Sequence, residues 1–182
     1  MGDKEGLAVV LNSLAKVLQK QGKLQEAGDI FQNQVEIAQS IDDKKSQAIA
    51  LSGLAGVLQE QGKLNEAAKT LQLQIEIAQY IDNNKQQIIG LNGLASVLQQ
   101  QGKLEEAANT FQHQIEIAES IYDKKSQAIG LNGLAGVLQQ QGKLDEAGDT
   151  FQSQIEIAKS IDDKQSQAIS LNSLAGVLQQ QG

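Results

Sequence analysis

The sequence lacks several residue types, and each absence narrows the fold and the chemistry. Its 182 residues include no proline and no cysteine, and aromatic residues make up only 3%. Without proline, only glycine remains to interrupt helices. Without cysteine, disulfides and thiolate chemistry are both excluded. A core with so few aromatic residues must be built from leucine, isoleucine, valine and alanine.

Arginine is absent as well, so all 15 positive charges are lysines, and the formal net charge is -7. Nucleic-acid-binding domains usually show a basic patch rich in arginine and lysine, so we expect no nucleic-acid partner. No apolar run approaches the roughly 18 residues that a transmembrane helix needs. The opening MGDKEGL lacks the apolar core of a signal peptide. We therefore expect a cytoplasmic protein with no membrane partner. Abundant glutamine predicts a surface that is polar rather than charged.

An internal repeat organises the chain. The tripeptide QGK returns every 40 residues, and residues 91–130 match residues 131–170 at 31 of 40 positions. We expect one array, 1–182, with repeats at about 3–42, 43–82, 83–122 and 123–162 and a final half-repeat at 163–182. Arrays of this kind bury a continuous core between neighbouring repeats. Such high identity between repeats indicates recent duplication or consensus design.

Each repeat predicts two helices, because apolar residues recur at helical spacing on both sides of the QGK tripeptide. Gly142 and its counterparts stand where a left-handed C-cap residue belongs. The other junction carries residues of the N-cap type, with Asp3 in the same register before the first helix: Asp43, Asn83, Asp123 and Asp163. The pattern predicts about nine helices and no strand.

The stretch LNGLAGVLQQQGKLDEAGDTFQSQIEIAKS resembles a tetratricopeptide repeat, with packing positions at Leu131, Leu134, Ala135, Leu138, Gly142, Ala147 and Phe151. The 40-residue form resembles the variety in Pins-type scaffolds, kinesin light chains and bacterial signalling proteins. The resemblance covers essentially the whole chain. It implies an all-α, right-handed superhelical solenoid of antiparallel helix pairs whose concave face, lined by the first helices, binds proteins or peptides.

Glycine recurs inside the first helices, as at Gly130, Gly133 and Gly136, although each costs about 1 kcal/mol relative to alanine. Two interpretations are open. Small residues allow neighbouring helices to pack closely, or they leave a bare groove floor for a bound peptide. We favour packing for Gly130 and the groove for Gly136, together with its counterparts Gly56 and Ser96.

A polar ladder runs beside these glycines: Asn12, Ser52, Asn92, Asn132 and Asn172, with Gln59, Gln99 and Gln139 seven residues after their neighbours in the ladder. An asparagine amide offers a donor and an acceptor, so it can match a peptide backbone. Hydration of an exposed face would explain the ladder equally well. The family resemblance favours peptide binding, because related repeats place asparagine in their grooves.

The sequence predicts no enzyme, cofactor or metal site. His113 is the only histidine, and its counterparts are Asn33, Leu73 and Ser153. The favoured function is a peptide-binding module of a larger bacterial signalling or scaffold protein. The alternative is a structural or self-assembling array without a dedicated ligand. The last helix keeps the apolar pattern of its internal copies, so Leu171, Leu174 and Leu178 predict end-to-end self-association.

Overall fold

The computed structural model describes residues 4–181, and the side chains from residue 10 onward. In this part of the chain every regular element is a helix, which confirms the predicted all-α class. There are nine helices: α1 (Lys4–Lys20), α2 (Leu24–Ser40), α3 (Lys44–Glu60), α4 (Leu64–Tyr80), α5 (Asn84–Gln100), α6 (Leu104–Ser120), α7 (Lys124–Gln140), α8 (Leu144–Ser160) and α9 (Lys164–Gln181). Odd-numbered helices are the first helices of the repeats, and even-numbered helices are the second.

The predicted helix ends are confirmed at both junctions. Gly22, Gly62, Gly102 and Gly142 have φ between +74° and +77°, the left-handed conformation that ends a helix. At the other junction, the N-cap side chains accept hydrogen bonds from backbone N–H groups. Ser46 N–H donates to Asp43 Oδ1 at 3.0 Å, and Gln86 N–H donates to Asn83 Oδ1 at 3.1 Å. The expected cap at Asp3 lies outside the described residues.

Hydrogen bonds to the cap also set its acidity. The Ser46 hydroxyl and then the Ser46 N–H lower the pKa of Asp43 by stabilising its carboxylate. The Ser166 N–H and then the Ser166 hydroxyl lower the pKa of Asp163 in the same way. The ionised caps therefore contribute to helix stability.

The sequence did not predict a second left-handed residue in each repeat. It precedes the N-cap and is not glycine: Asp42, Asp82, Tyr122 and Asp162, with φ between +50° and +57°. This conformation suits aspartate better than tyrosine, because a short polar side chain tolerates the left-handed region. The turn between a second helix and the next first helix therefore holds its shape without glycine.

The chain divides into two compact units, an N-terminal half ending at Val97 and a C-terminal half beginning at Leu98. Each half has a core between consecutive helices. In the N-terminal half, Ala15, Ala27, Phe31 and Val57 form one cluster. In the C-terminal half, Ala135, Leu138, Ala147, Phe151 and Val177 form another. Small alanines let the helices approach, and one larger side chain from the second helix fills each gap.

Several glutamines contradict the expectation that glutamine marks the surface. Gln74 and Gln114, on the second helices α4 and α6, are almost fully buried. Gln74 Nε2 donates to the Gln86 carbonyl at 2.9 Å, and Gln114 Nε2 donates to the Ser126 carbonyl at 3.1 Å. Each amide thus binds a carbonyl in the first turn of the following helix. These glutamines fix the position of the next helix.

Candidate functional site

A groove lies between successive first helices of the N-terminal half and encloses about 370 Å³. Three residues of the predicted site line it together: Asn12 from α1, and Ser52 and Gly56 from α3. The rest of the lining comprises Lys16, Gln19, Ile49, Gly53, Gln86 and Ile89. We call this surface the N-terminal groove. The helix faces assigned to binding from sequence therefore do border an open space.

Asn12 places an unused acceptor at this groove. Its Oδ1 is buried and accepts no hydrogen bond from the described residues. A buried polar atom without a partner costs free energy, so a donor that reached this atom would be bound favourably. The amide of an extended peptide is one such donor.

Two isoleucines give the groove an apolar element that the sequence analysis missed. Ile49 is partly exposed and Ile89 is half-exposed, and both line the groove. In the C-terminal half, their counterparts Ile129 and Ile169 are also half-exposed. An isoleucine at one register of every first helix after α1 was visible in the repeat alignment. The sequence analysis gave this isoleucine no role.

The glutamines of the ladder connect neighbouring first helices. In the N-terminal half, Gln59 Nε2 donates to Ser96 Oγ at 3.1 Å, so two predicted site residues bind each other. In the same half, Gln19 Nε2 donates to Glu60 Oε1 at 2.7 Å. These bonds join neighbouring repeats, and Gln19 also lines the N-terminal groove.

The C-terminal half contains four residues of the predicted ladder: Gln99, Asn132, Gln139 and Asn172. Asn132 is partly exposed on α7, and Asn172 is exposed on α9. Gln139 Nε2 donates to Gln180 Oε1 at 3.0 Å, which repeats the bridging pattern of the N-terminal half. Gln99, near the end of α5, is partly exposed, as is Asn92 on the same helix in the N-terminal half.

The glycines of α7 divide into two environments. No atom outside its own helix lies within 4 Å of a Cβ placed on Gly136, so this position is open, as expected for a groove floor. A Cβ on Gly130 would lie 2.7 Å from Ile115 Cγ1, so Gly130 is a packing position, also as expected. A Cβ on Gly133 would overlap the ring of Phe111. Open and packed glycine positions thus occur on one helix, and a groove floor for a peptide at Gly136 stays a prediction.

The N-terminal groove has little charge. Among the described lining residues, Lys16 alone is charged. His113 is exposed on the second helix α6. Among the side chains that the structure describes, from residue 10 onward, no three of His, Asp or Glu converge as a metal site would require. No helix in the described part of the chain is long and apolar enough to cross a membrane. The groove chemistry is that of neutral hydrogen bonding and apolar contact.

Solved structures with the same fold come from varied proteins. A Podosopora anserina protein assigned as a kinesin light chain, with nearly identical TPR-like repeats, is 21% identical, with a TM-score of 0.79; the match covers 93% of this chain and 84% of that one. A Pyrococcus horikoshii signal transduction ATPase with a tetratricopeptide repeat sensor is 16% identical, with a TM-score of 0.82. The match covers 93% of this chain and 26% of the ATPase chain. Aspartyl phosphate phosphatase F from Bacillus subtilis is 14% identical, with a TM-score of 0.86. The match covers 97% of this chain and 45% of the phosphatase chain.

At these identities the structural matches establish the fold and leave the function open. No curated protein matches the sequence significantly. One family model, described as tetratricopeptide repeat, matches residues 6–80 and 126–182, and a second with the same description matches residues 90–114. Together with the paired helices and their glycine turns, these matches show that the chain belongs to the tetratricopeptide repeat family.

Proposed function

We propose that this chain is a protein-binding scaffold module that holds an extended peptide in the N-terminal groove. Tetratricopeptide repeats are generally protein-interaction modules, and the groove is the observation that carries the proposal. It combines an unused Asn12 acceptor with the half-exposed side chain of Ile89. An extended peptide offers both of the complementary features, a backbone N–H and an apolar side chain.

The groove lining favours recognition through the peptide backbone and through apolar side chains. Amide and hydroxyl groups from Asn12, Ser52 and Gln86 can bind backbone donors and acceptors. Ile49 and Ile89 offer apolar contact between these polar groups. Because Lys16 is the only charged residue in the described lining, the groove lacks the cluster of cations that would bind the terminal carboxylate of a peptide. We propose binding rather than catalysis, because the described lining holds only one titratable side chain, that of Lys16.

A groove-filling variant tests this function. Peptides are first selected from a random library displayed on phage, with the purified chain as bait. A Cβ on Gly56 would lie 3.5 Å from Gln19 Nε2, an ordinary contact, so the position has room for a Cβ. Gly56→Gln is chosen to fill the groove, and circular dichroism checks that this variant keeps its helices. We expect the selected peptides to bind this variant at least about tenfold more weakly, as loss of one or two buried contacts implies.

Gly28→Ala is the matched control. A Cβ on Gly28 would lie 3.5 Å from Val57 Cγ1, and Ala68 and Ala108 already stand at this position in other repeats. It should leave peptide affinity unchanged. Equal binding of the peptides to the Gly56→Gln variant would show that they bind elsewhere, and the proposed function would fail.

The wider setting is also a proposal. In the Pyrococcus horikoshii ATPase, a tetratricopeptide repeat serves as a sensor within a longer chain. We propose a similar role for this module, as the binding arm of a larger cytoplasmic signalling or scaffold protein. A second candidate function is association at the end of the array, which the exposed Leu171 and Leu178 of α9 favour.

A further inference from the structure

The exposed face of α4 differs from that of the other second helices. Leu73 is 41% exposed and Tyr80 is 79% exposed. They stand seven residues apart, so they lie on the same face of the helix. Within the four second helices, which the structure describes in full, no other large apolar side chain is exposed. At the position of Tyr80 the other three helices carry serine, and at the position of Leu73 they carry Asn33, His113 and Ser153.

Opposite charges flank Leu73 on this face. Lys69 stands one turn before Leu73 and Glu76 one turn after it, and both are exposed. Seven residues span about 10 Å along a helix, so Lys69 and Glu76 are too far apart to pair within α4. Among the described side chains, neither of them forms an ion pair. The other second helices keep the glutamate, but at the position of Lys69 they carry Asp29, Asn109 and Asp149.

We propose that the α4 face, formed by Lys69, Leu73, Glu76 and Tyr80, binds the same face of a second copy in antiparallel orientation. In such a twofold contact, one surface patch meets its own copy, so the patch must be complementary to itself. With the axis beside Leu73, the two Leu73 side chains meet at the centre. Lys69 of each copy then lies against the partner's Glu76, because the two charges stand four and three residues from Leu73. Tyr80 extends the apolar contact by one turn.

The order of the charges favours a second copy over a different partner. A partner of one charge sign would meet a like charge at either Lys69 or Glu76. In a parallel pair of α4 helices, lysine would face lysine and glutamate would face glutamate, so the charges also select the antiparallel orientation. On α2 and α8 the same positions carry aspartate and glutamate around a polar residue, so pairs of those helices would repel each other.

The dimer should be weak, because one helix face buries less area than a standard protein interface and exposed ion pairs contribute little. Sedimentation velocity of the full chain between about 10 µM and about 1 mM therefore measures the association. We expect the sedimentation coefficient to rise with concentration. Leu73→Ser, which copies Ser153, should weaken association about tenfold or more. Since Leu73 is exposed and serine occurs in a counterpart helix, this variant should keep its fold.

Charge exchange tests the symmetry of the contact. Lys69→Glu gives the face two negative charges, and Glu76→Lys gives it two positive charges, so each variant alone should stay monomeric. An equimolar mixture of the two variants should associate, because every lysine then meets a glutamate. The two substitutions combined in one chain should also restore self-association.

Two variants serve as controls. Glu156 on α8 is the exposed counterpart of Glu76, so Glu156→Lys makes the same change on another second helix and should leave association unchanged. Leu178→Lys on α9 should also leave it unchanged. Leu73→Ser should bind the phage-selected peptides as the parent chain does, because the α4 face is independent of the N-terminal groove.

Several outcomes would overturn the proposal. One is a sedimentation coefficient that stays constant up to about 1 mM. Others are a dimer that persists in Leu73→Ser, or one that disappears in Leu178→Lys or Glu156→Lys. A mixture of the Lys69→Glu and Glu76→Lys variants that remains monomeric would likewise exclude an antiparallel pair of α4 helices.

Discussion

Gly133 of α7 lies against the ring of Phe111 from α6, so closely that a Cβ on Gly133 would overlap the ring. In the N-terminal half, Gly53 stands in the same relation to Phe31. A glycine inside a helix is unfavourable on propensity alone, so its presence here reflects packing. The bulky side chain of the second helix takes the space that a methyl group would occupy.

Gly133→Ala should therefore destabilise the protein by about 1–3 kcal/mol, because the added methyl overpacks the contact. Urea-induced unfolding followed by circular dichroism measures the change. Adding Phe111→Leu, which copies Leu71, should restore part of the loss, and a more stable Gly133→Ala protein would contradict the packing role.

Gly130→Ala should also destabilise, by about 1 kcal/mol or more, since the new Cβ would lie 2.7 Å from Ile115 Cγ1. The N-terminal half contains the compensated pair, because Ala50 is buried in one cluster with the smaller Val35. Adding Ile115→Val should thus reduce the cost of Gly130→Ala. Unfolding midpoints of the two single variants and the double variant test this coupling, and strictly additive effects would argue against direct contact.

Gly136→Ala should do the opposite and stabilise the protein by up to about 1 kcal/mol. Nothing lies within 4 Å of the added Cβ, so the gain in helix propensity has no packing penalty to offset it. A thermal melt should show a higher midpoint. Gly142→Ala is the control and should lower it, because Gly142 has a φ of +76°. A clear fall in the midpoint with Gly136→Ala would place this glycine at a packing contact.

The N-caps make stability depend on pH in the acid range. Hydrogen bonds from Ser46 lower the pKa of Asp43 in the folded chain, so its contribution is complete at neutral pH. It is lost as the pH falls below about 4, through the lowered pKa of the folded state. Asn83 caps α5 without a charge, so Asp43→Asn with Asp163→Asn should leave stability at pH 7 nearly unchanged and flatten its fall in acid. Parallel acid dependences in the two proteins would exclude this role.

Much of the fold could be predicted from the sequence, because the residues that end and begin the helices recur at the same positions in successive repeats. The glycine after every first helix and the cap before it recur in register, and both are observed. The resemblance to a tetratricopeptide repeat adds the packing positions, such as Ala135 and Phe151. Because helix ends depend on short-range hydrogen bonds, one sequence was enough to locate them.

Other features depend on contacts between helices, which periodicity does not specify. Gln74 looks polar in sequence, yet it is buried because its amide reaches the carbonyl of Gln86 on the next helix. Ile89 is apolar in sequence, yet it is half-exposed where it lines the N-terminal groove. Periodicity also does not distinguish the glycines. Gly133 and Gly136 lie on one face of α7, but only Gly133 contacts the ring of Phe111.

The low charge of the N-terminal groove, whose described lining contains one lysine, leads to the most direct test of the proposed function. Isothermal titration calorimetry of a phage-selected peptide compares the affinity at low and physiological salt. Because few charges are involved, we expect the affinity to change by less than about threefold. Asn12→Ala with Ser52→Ala should weaken binding about tenfold or more, through lost hydrogen bonds. An affinity that collapses with salt, or is indifferent to both of these changes, would contradict recognition by Asn12 and Ser52 of the ladder.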